Sequence, residues 1–328
     1  PFLYALALAR RYLTPASLLN DSPMNLETAS GLYIPQNYDR GFKGQVSVRT
    51  ALAASLNVPA VRTLVLAGVE RFRDRLVELG YSGLTHSGEY YGFSLALGSA
   101  EVSLLEQVNA YRTLANGGAW SPLRFQAGPA GTGVRQVISP EAAFLVADIL
   151  SDGAARSVTF GLDSPLSTRF WSAVKTGTSK DMRDNWCIGF SPRYTVGVWV
   201  GNFEGDAMQA VSGVSGAAPA WAAIMAGLHG GSDHMAIPPP GGVVRQHIRF
   251  DPPIEPPRQE WFIAGTETEA IHAVGDDDTR RPTIETPPEG VIIALDPDIP
   301  AANQQIRFKA SGAGQALWLL DKQPLGPA

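Results

Sequence analysis

The chain has 328 residues, 45% of them hydrophobic, enough to bury one sizeable core and a second, smaller one. Its net charge of -5, with acidic and basic residues interspersed, leaves no basic stripe of the kind that binds nucleic acid or anionic lipid. The single cysteine, Cys187, excludes an internal disulfide, and no run of about 18 or more apolar residues could span a bilayer.

Pro1-Phe2-Leu3-Tyr4-Ala5-Leu6-Ala7-Leu8-Ala9 predicts an apolar helix. Proline lacks an N–H and is tolerated only in a first turn, so this helix is expected to begin a few residues before Pro1. With no initiating Met and no signal peptide, the chain reads as a piece of a longer protein. Val102 to Tyr111 predicts a second helix, closed by Gly117 and Gly118. Ser139 and Pro140 supply the N-cap and N1 residue of another, whose apolar face (Ala142, Phe144, Leu145, Ile149, Leu150) is expected to end at Gly153.

Phe170 to Val174 leads as a short apolar strand into Lys175-Thr176-Gly177-Thr178-Ser179. Cys187 to Phe190, the turn Ser191-Pro192-Arg193, and Tyr194 to Val200 predict an antiparallel hairpin, so a three-stranded meander is expected. Helices beside such a sheet define an α+β domain over residues 1–235. Prolines crowd 236–258, in Pro238-Pro239-Pro240 and Asp251-Pro252-Pro253-Ile254-Glu255-Pro256-Pro257, predicting a stiff extended connector. Residues 259–328 hold short strand patterns at Ile292–Leu295, Gln305–Ala310 and Ala316–Leu320, expected as a small β-sandwich that stops early near Pro324–Ala328 and exposes an edge.

Two triplets carry chemistry. Lys175-Thr176-Gly177 places an ammonium, a hydroxyl and a side-chain-free backbone on a strand, and Ser55-Leu56-Asn57 lies more than a hundred residues upstream. Alone, the first is compatible with a solvated strand end and the second with helix capping. Together, in that order, they are two of the three signatures of serine acyltransferases that react with penicillin. The third, Ser-x-x-Lys, is not found in the required place. The opening Pro1-Phe2 resembles the stretch that directly follows it in class A bifunctional penicillin-binding proteins, which puts the nucleophile and its lysine just before Pro1.

That resemblance extends through Pro35-Gln36-Asn37-Tyr38-Asp39, Phe42-Lys43-Gly44, Tyr91 to Gly98, Ala110 to Gly118, Arg183-Asp184-Asn185-Trp186 and Tyr194 to Asn202. The tail from Ile284 to Leu325 is similar to the extra C-terminal domain of the 1C subfamily. The resemblance implies a penicillin-recognising transpeptidase fold, with an antiparallel sheet beside a helical cluster. It also implies a D,D-transpeptidase that cross-links peptidoglycan stem peptides through an acyl-serine and binds β-lactams, with no cofactor. Such proteins are anchored in the inner membrane, face the periplasm and carry a glycosyltransferase domain ahead of the transpeptidase. Other cell-wall synthesis proteins are possible partners of this family.

Acyl transfer needs a serine nucleophile, a base, two oxyanion donors and an anchor for the substrate carboxylate. Lys175 fits the anchor, since a unit charge at about 4 Å from a carboxylate is worth a few kcal/mol near the surface. Thr176 and Thr178 could bond the same carboxylate, and Gly177 lets a substrate lie against the strand. By resemblance the N–H of Thr178 is an oxyanion donor, Ser55 relays a proton between the lysine of the absent motif and the leaving amine, and Asn57 fixes the scissile peptide. A D,D-carboxypeptidase or β-lactamase-like hydrolase is the alternative enzyme, and a catalytically inert binding fragment the alternative to an enzyme. His86, His229, His234, His247 and His272 show no metal-ligand spacing, and Asp276-Asp277-Asp278 lacks the distal Glu of a calcium loop. Gly128, Gly131 and Gly133 lack the strand and helix of a dinucleotide site.

Overall fold

The computed structural model describes residues 1–28, 31–126, 132–230, 235–273, 283–286, 308–311, 317–320 and 323–327. They divide into two compact units, Pro1–Ile271 and His272–Ala328. The first unit is α+β.

Helix α1 (Phe2–Ala9) is buried at seven consecutive positions from Phe2 to Leu8, so it runs through the main core rather than along its surface. Strand β1 (Leu18–Asp21), the hairpin β2 (Leu26–Thr28) and β3 (Gly31–Tyr33), and β4 (Gly44–Ser47) follow, with β4 pairing antiparallel to β1. Ser47 then caps α2 (Val48–Ala53) by accepting from Thr50 N. A tight turn leads into α3 (Asn57–Ala67), followed by α4 (Val69–Glu78) and the single turn α5 (Gly88–Tyr91). Helix α6 (Leu104–Ala115) starts on a reciprocal capping box between Ser103 and Glu106, which satisfies two otherwise orphaned donors.

After the short pair β5 (Ala119–Trp120) and β6 (Arg135–Gln136), α7 (Pro140–Ser151) begins as its residues dictate, with Ser139 Oγ accepting from Ala142 N and proline in the first turn. Helix α7 ends at Ser151, two residues before the expected stop at Gly153, and a second helix follows at once. Asp152 ends α7 and its carboxylate accepts from Ala155 N, so Gly153 opens α8 (Gly153–Phe160) instead.

Strands β7 (Ala173–Thr178), β8 (Asp184–Phe190) and β9 (Thr195–Gly201) form the antiparallel meander, in order β7-β8-β9. Alternation splits its side chains between two cores: Ala173, Ile188 and Phe190 join the main one, while Val174 and Cys187 pack with Trp221 and Met225 of α9 (Ala218–His229).

The segment 236–258, expected as an extended connector, carries a strand. Its prolines flank the run Val243 to Phe250, which alternates buried and exposed over its last five residues, and this run forms β10 (Val243–Asp251) between β11 (Arg258–Ile263) and β12 (Ala270–His272). Ile248, Phe250 and Phe262 close over Ala16 as a small third core, and Trp261 stacks edge-on to Phe144 of α7, ring centroids 5.4 Å apart.

The second unit is a small β region. Strand β13 (Thr283–Thr286) pairs with β14 (Lys309–Ser311), and β15 (Leu317–Leu320) with β16 (Gln323–Pro327). Residues Pro324 to Pro327 pair with β15. Ile292–Leu295, His234, Gly128, Gly131 and Asp276–Asp278 lie outside the described residues.

Candidate active site

The site forms where the α2–α3 turn meets β7. Ser55 occupies that turn with φ of 61°, a left-handed conformation that costs a residue with a Cβ about 1–2 kcal/mol. A buried six-residue helix before it and a longer helix after it hold the turn in place. Its hydroxyl lies 2.5 Å from Nζ of Lys175, which also donates to the carbonyl of Thr176 at 2.8 Å. Ser55 and Lys175, 120 residues apart, thus meet in one hydrogen-bonded pair.

Burial and, secondarily, the positive charge of Arg156 lower the Lys175 ammonium to about 8. Arg156 is itself buried, its guanidinium donating to the carbonyls of Leu150 and Leu166.

Backbone geometry sets the exposed side of β7. Ser179 N donates to Asp184 O, so in the antiparallel alternation the odd-numbered residues bond to β8. Thr176 and Thr178 therefore turn their N–H and C=O groups to the outer edge, which no strand pairs among the described residues. Gly177 sits on Trp186 of β8, where an added Cβ would lie 3.6 Å from the Trp186 Cβ, an ordinary contact. Thr178 Oγ1 accepts from Gly213 N at 2.9 Å and keeps only its own O–H to donate.

Asn57 opens α3, two residues beyond Ser55, with its Nδ2 donating to Gln36 O at 2.8 Å. Its backbone N–H and that of Val58 both donate to Oδ1 of buried Asn37, whose Nδ2 donates to both oxygens of fully buried Asp21. Asn37 thus caps α3 from outside its own chain segment, in place of Leu56, which has no side chain able to do so. The sequence signal for Asn37 is its place in the family-like segment Pro35–Asp39; nothing in its spacing to Asn57 announces the cap. Cys187, opposite Thr176 on β8, has its thiol pushed up by burial and is a packing residue.

A literal Ser-x-x-Lys occurs once in the chain, at Ser172-Ala173-Val174-Lys175. Three residues apart in extended chain, its ends point to opposite faces, and the buried Ser172 hydroxyl is hydrogen-bonded to Thr168 Oγ1 at 2.9 Å. It is not a nucleophile–base pair. Among the described residues no group of three or more His, Cys, Asp or Glu side chains could hold a metal ion, and no helix is long and apolar enough to cross a membrane.

A serine in a left-handed turn thus touches a desolvated lysine beside the edge of β7 that no strand pairs among the described residues. The chain belongs to the penicillin-binding protein transpeptidase family: residues 1–226 match the family described as penicillin binding protein transpeptidase domain, and residues 271–328 the penicillin-binding protein C-terminus family. It is similar to penicillin-binding protein 1C of Escherichia coli (strain K12), 36% identical over 219 residues that make up 67% of this chain and 27% of the relative. Penicillin-binding protein 1A of Neisseria lactamica is 28% identical over 328 positions, covering 88% of this chain and 40% of its own. The chain therefore spans less than half the length of these curated relatives. The crystal structure of penicillin-binding protein 1A from Haemophilus influenzae superposes with a TM-score of 0.69 at 25% identity, over 83% of this chain and 48% of that one. PonA1 from Mycobacterium tuberculosis in complex with penicillin V shares the fold, with a TM-score of 0.60 at 21% identity over 73% of this chain and 70% of that one.

Proposed function

We propose that the first unit is the substrate-anchoring part of a serine D,D-transpeptidase that cross-links peptidoglycan stem peptides and is acylated by β-lactams. The observation that carries this reading is the Ser55–Lys175 contact beneath the free edge of β7. The substrate backbone lies along Thr176 and Thr178 as an added strand, with its terminal carboxylate against the Lys175 ammonium. A serine hydroxyl attacks the penultimate carbonyl, and the Thr178 N–H stabilises the resulting oxyanion. The C–N bond then breaks, and the departing D-alanine takes its proton by way of Ser55. The amine of a second stem peptide attacks the acyl ester, and the serine leaves with that amine's proton.

The attacking serine belongs to a Ser-x-x-Lys motif placed directly ahead of Pro1, as the resemblance of Pro1-Phe2 to the family implies. Residues 1–235, 236–258 and 259–328 remain our assignment of transpeptidase, connecting and C-terminal portions, with the connecting portion folded onto the first. Anchorage in the inner membrane, exposure to the periplasm and an associated glycosyltransferase domain are part of the same proposal, resting on the resemblance to bifunctional members of the family.

The test is treatment with a fluorescent penicillin, followed by intact-mass spectrometry, of the 328-residue chain and of the chain extended N-terminally through a Ser-x-x-Lys motif. A stable adduct on the extended chain alone supports the assignment. An adduct on the 328-residue chain would show another serine to be the nucleophile. Rapid turnover on the extended chain would make the protein a hydrolase, and no reaction there would leave a binding module.

A further inference from the structure

The sheet β10–β11–β12 begins beyond the residues matched to the transpeptidase family and ends at the first residues matched to the C-terminus family. Yet its inner face is bound to the helix that presents Ser55. Glu260 is fully buried between Arg49 of α2 and Arg258 of its own strand. It accepts from Arg49 Nε at 2.8 Å and Arg49 Nη2 at 2.5 Å, a two-pronged contact that fixes orientation as well as distance. The other prongs of Arg49 reach Asp152 at 3.0 Å and Asp148 at 2.5 Å, so four of the five N–H donors of the guanidinium are engaged by carboxylates.

A second contact holds the start of the same helix. Glu255 accepts from Ser47 N at 2.8 Å and from Arg258 Nη1 at 2.7 Å, while Arg258 Nη2 donates to Ser47 Oγ at 3.2 Å. Ser47 is the N-cap of α2 and Arg49 lies in its first turn, so both anchors sit at one end of a six-residue helix whose other end leads directly to Ser55. At about 1.5 Å per residue this helix is about 9 Å long, so its anchored end lies less than two turns from the turn that holds Ser55.

Burying this many charges is expensive, and an apolar contact would hold the sheet to the domain as well or better. What the ionic clamp adds over apolar packing is directional constraint. We infer that Glu260 and Arg49 are positioning residues for the Ser55–Lys175 pair, and that the sheet 243–263 sets the reactivity of the cleft without touching it. The inference rests on the acyl-transfer reading for its functional consequence and on geometry alone for its structural one.

The structural consequence is tested on the 328-residue chain by amide hydrogen exchange of the parent and of Glu260→Gln. The expected result is exchange at Asn57 and Val58 at least tenfold faster, while Trp186 to Ile188 on β8 keep their parent rates. Unchanged exchange at Asn57 and Val58, or equal acceleration at both places, would overturn the inference. Should Glu260→Gln fail to fold, Glu255→Gln, which weakens the Ser47 anchor and the Arg258 ion pair but leaves the Arg49–Glu260 contact, is expected to give the same pattern at smaller amplitude, and a uniform change there would overturn it equally. The functional consequence is read on the chain extended through Ser-x-x-Lys, as penicillin acylation rate against penicillin concentration. The expected outcome is a tenfold lower limiting rate, with half-saturation within twofold of the parent and complete final labelling. A parent that never labels refutes the acyl-transfer reading and leaves the exchange result to decide the clamp. A labelling parent with an unchanged limiting rate in Glu260→Gln refutes the functional consequence itself.

Discussion

The three-stranded sheets β7–β8–β9 and β10–β11–β12 solve different problems. The sheet β7–β8–β9 is packed on both faces, against the α1–α7 core on one side and against α9 on the other, so what it offers is the backbone edge of β7. The sheet β10–β11–β12 buries Ile248, Phe250 and Phe262 on one face, leaves Arg245, His247 and Arg249 exposed on the other, and places a carboxylate, Glu260, among its buried residues. The first is packed from both faces, and it presents Lys175 and two outward peptide groups at its edge. The second holds position through charge. Two-sided packing where chemistry occurs and ionic orientation behind it are separate devices, and each fails in its own way.

The largest expected effect breaks the first sheet's contribution to chemistry. In the chain extended through Ser-x-x-Lys, Ser55→Ala should slow penicillin acylation by about 10²–10⁴-fold, the range typical of lost general acid–base assistance. Lys175→Ala should do at least as much, because it removes both the anchor and the partner of Ser55. Stopped-flow fluorescence measures both, and a near-parent rate for Ser55→Ala would detach Ser55 from the reaction.

Next in size is the cost of breaking the second sheet's clamp. Glu260→Ala leaves Arg49 without its buried partner and should lower stability by about 3–5 kcal/mol, whereas the double change Arg49→Met with Glu260→Leu should recover most of that loss. Urea unfolding midpoints decide the matter. Equal losses for the single and double variants would mean that shape, not charge, holds the sheet.

Glycines sharpen the comparison within the first sheet. A Cβ on Gly189 would lie 2.6 Å from Trp221 and 2.7 Å from the Ala173 carbonyl, so Gly189→Ala should cost about 1–3 kcal/mol through overpacking. At Gly177 the nearest atom would be 3.6 Å away, and Gly177→Ala should stay within about 0.5 kcal/mol while slowing acylation, because the new methyl stands where substrate lies. Thermal melts together with labelling rates separate the two. A large stability loss at Gly177 would contradict the idea of an open edge.

The last effect is in pH. Lys175 is lowered in the folded state from 10.5 to about 8, so between those values the unfolded chain binds more protons. Stability contributed by this site should rise as pH climbs from about 8 to 10.5, and Lys175→Met should remove that rise. Paired denaturation curves at the two ends of the window test it, and an identical slope in the variant would show that Lys175 is as well solvated folded as unfolded.

Much of this was legible along the chain because the signals are local. Ser139 starts a helix where its side chain can reach a donor three residues ahead, and the Ser191-Pro192-Arg193 turn separates two runs of strand-forming residues. Elsewhere local signals misled. Gly153 resembles a helix stop, but Asp152 one residue earlier is a cap, and caps start helices. The prolines around Val243–Asp251 suggest a stiff spacer, although an alternating pattern sits between them and a partner strand follows.

Composition and short-range pattern determined the fold class, most of the elements and the residue types that could carry acyl transfer, because helix caps, turns and alternation act within a few residues. Only the tertiary structure decided which of those residues meet. The Ser55–Lys175 contact closes over 120 residues, the Asn37 cap over 20, and the Arg49–Glu260 pair over 211. An arginine or glutamate in the sequence has the appearance of a surface residue, since charges are rarely buried without a partner. The partner exists only once the chain has folded back on itself, and with it the geometry of the site.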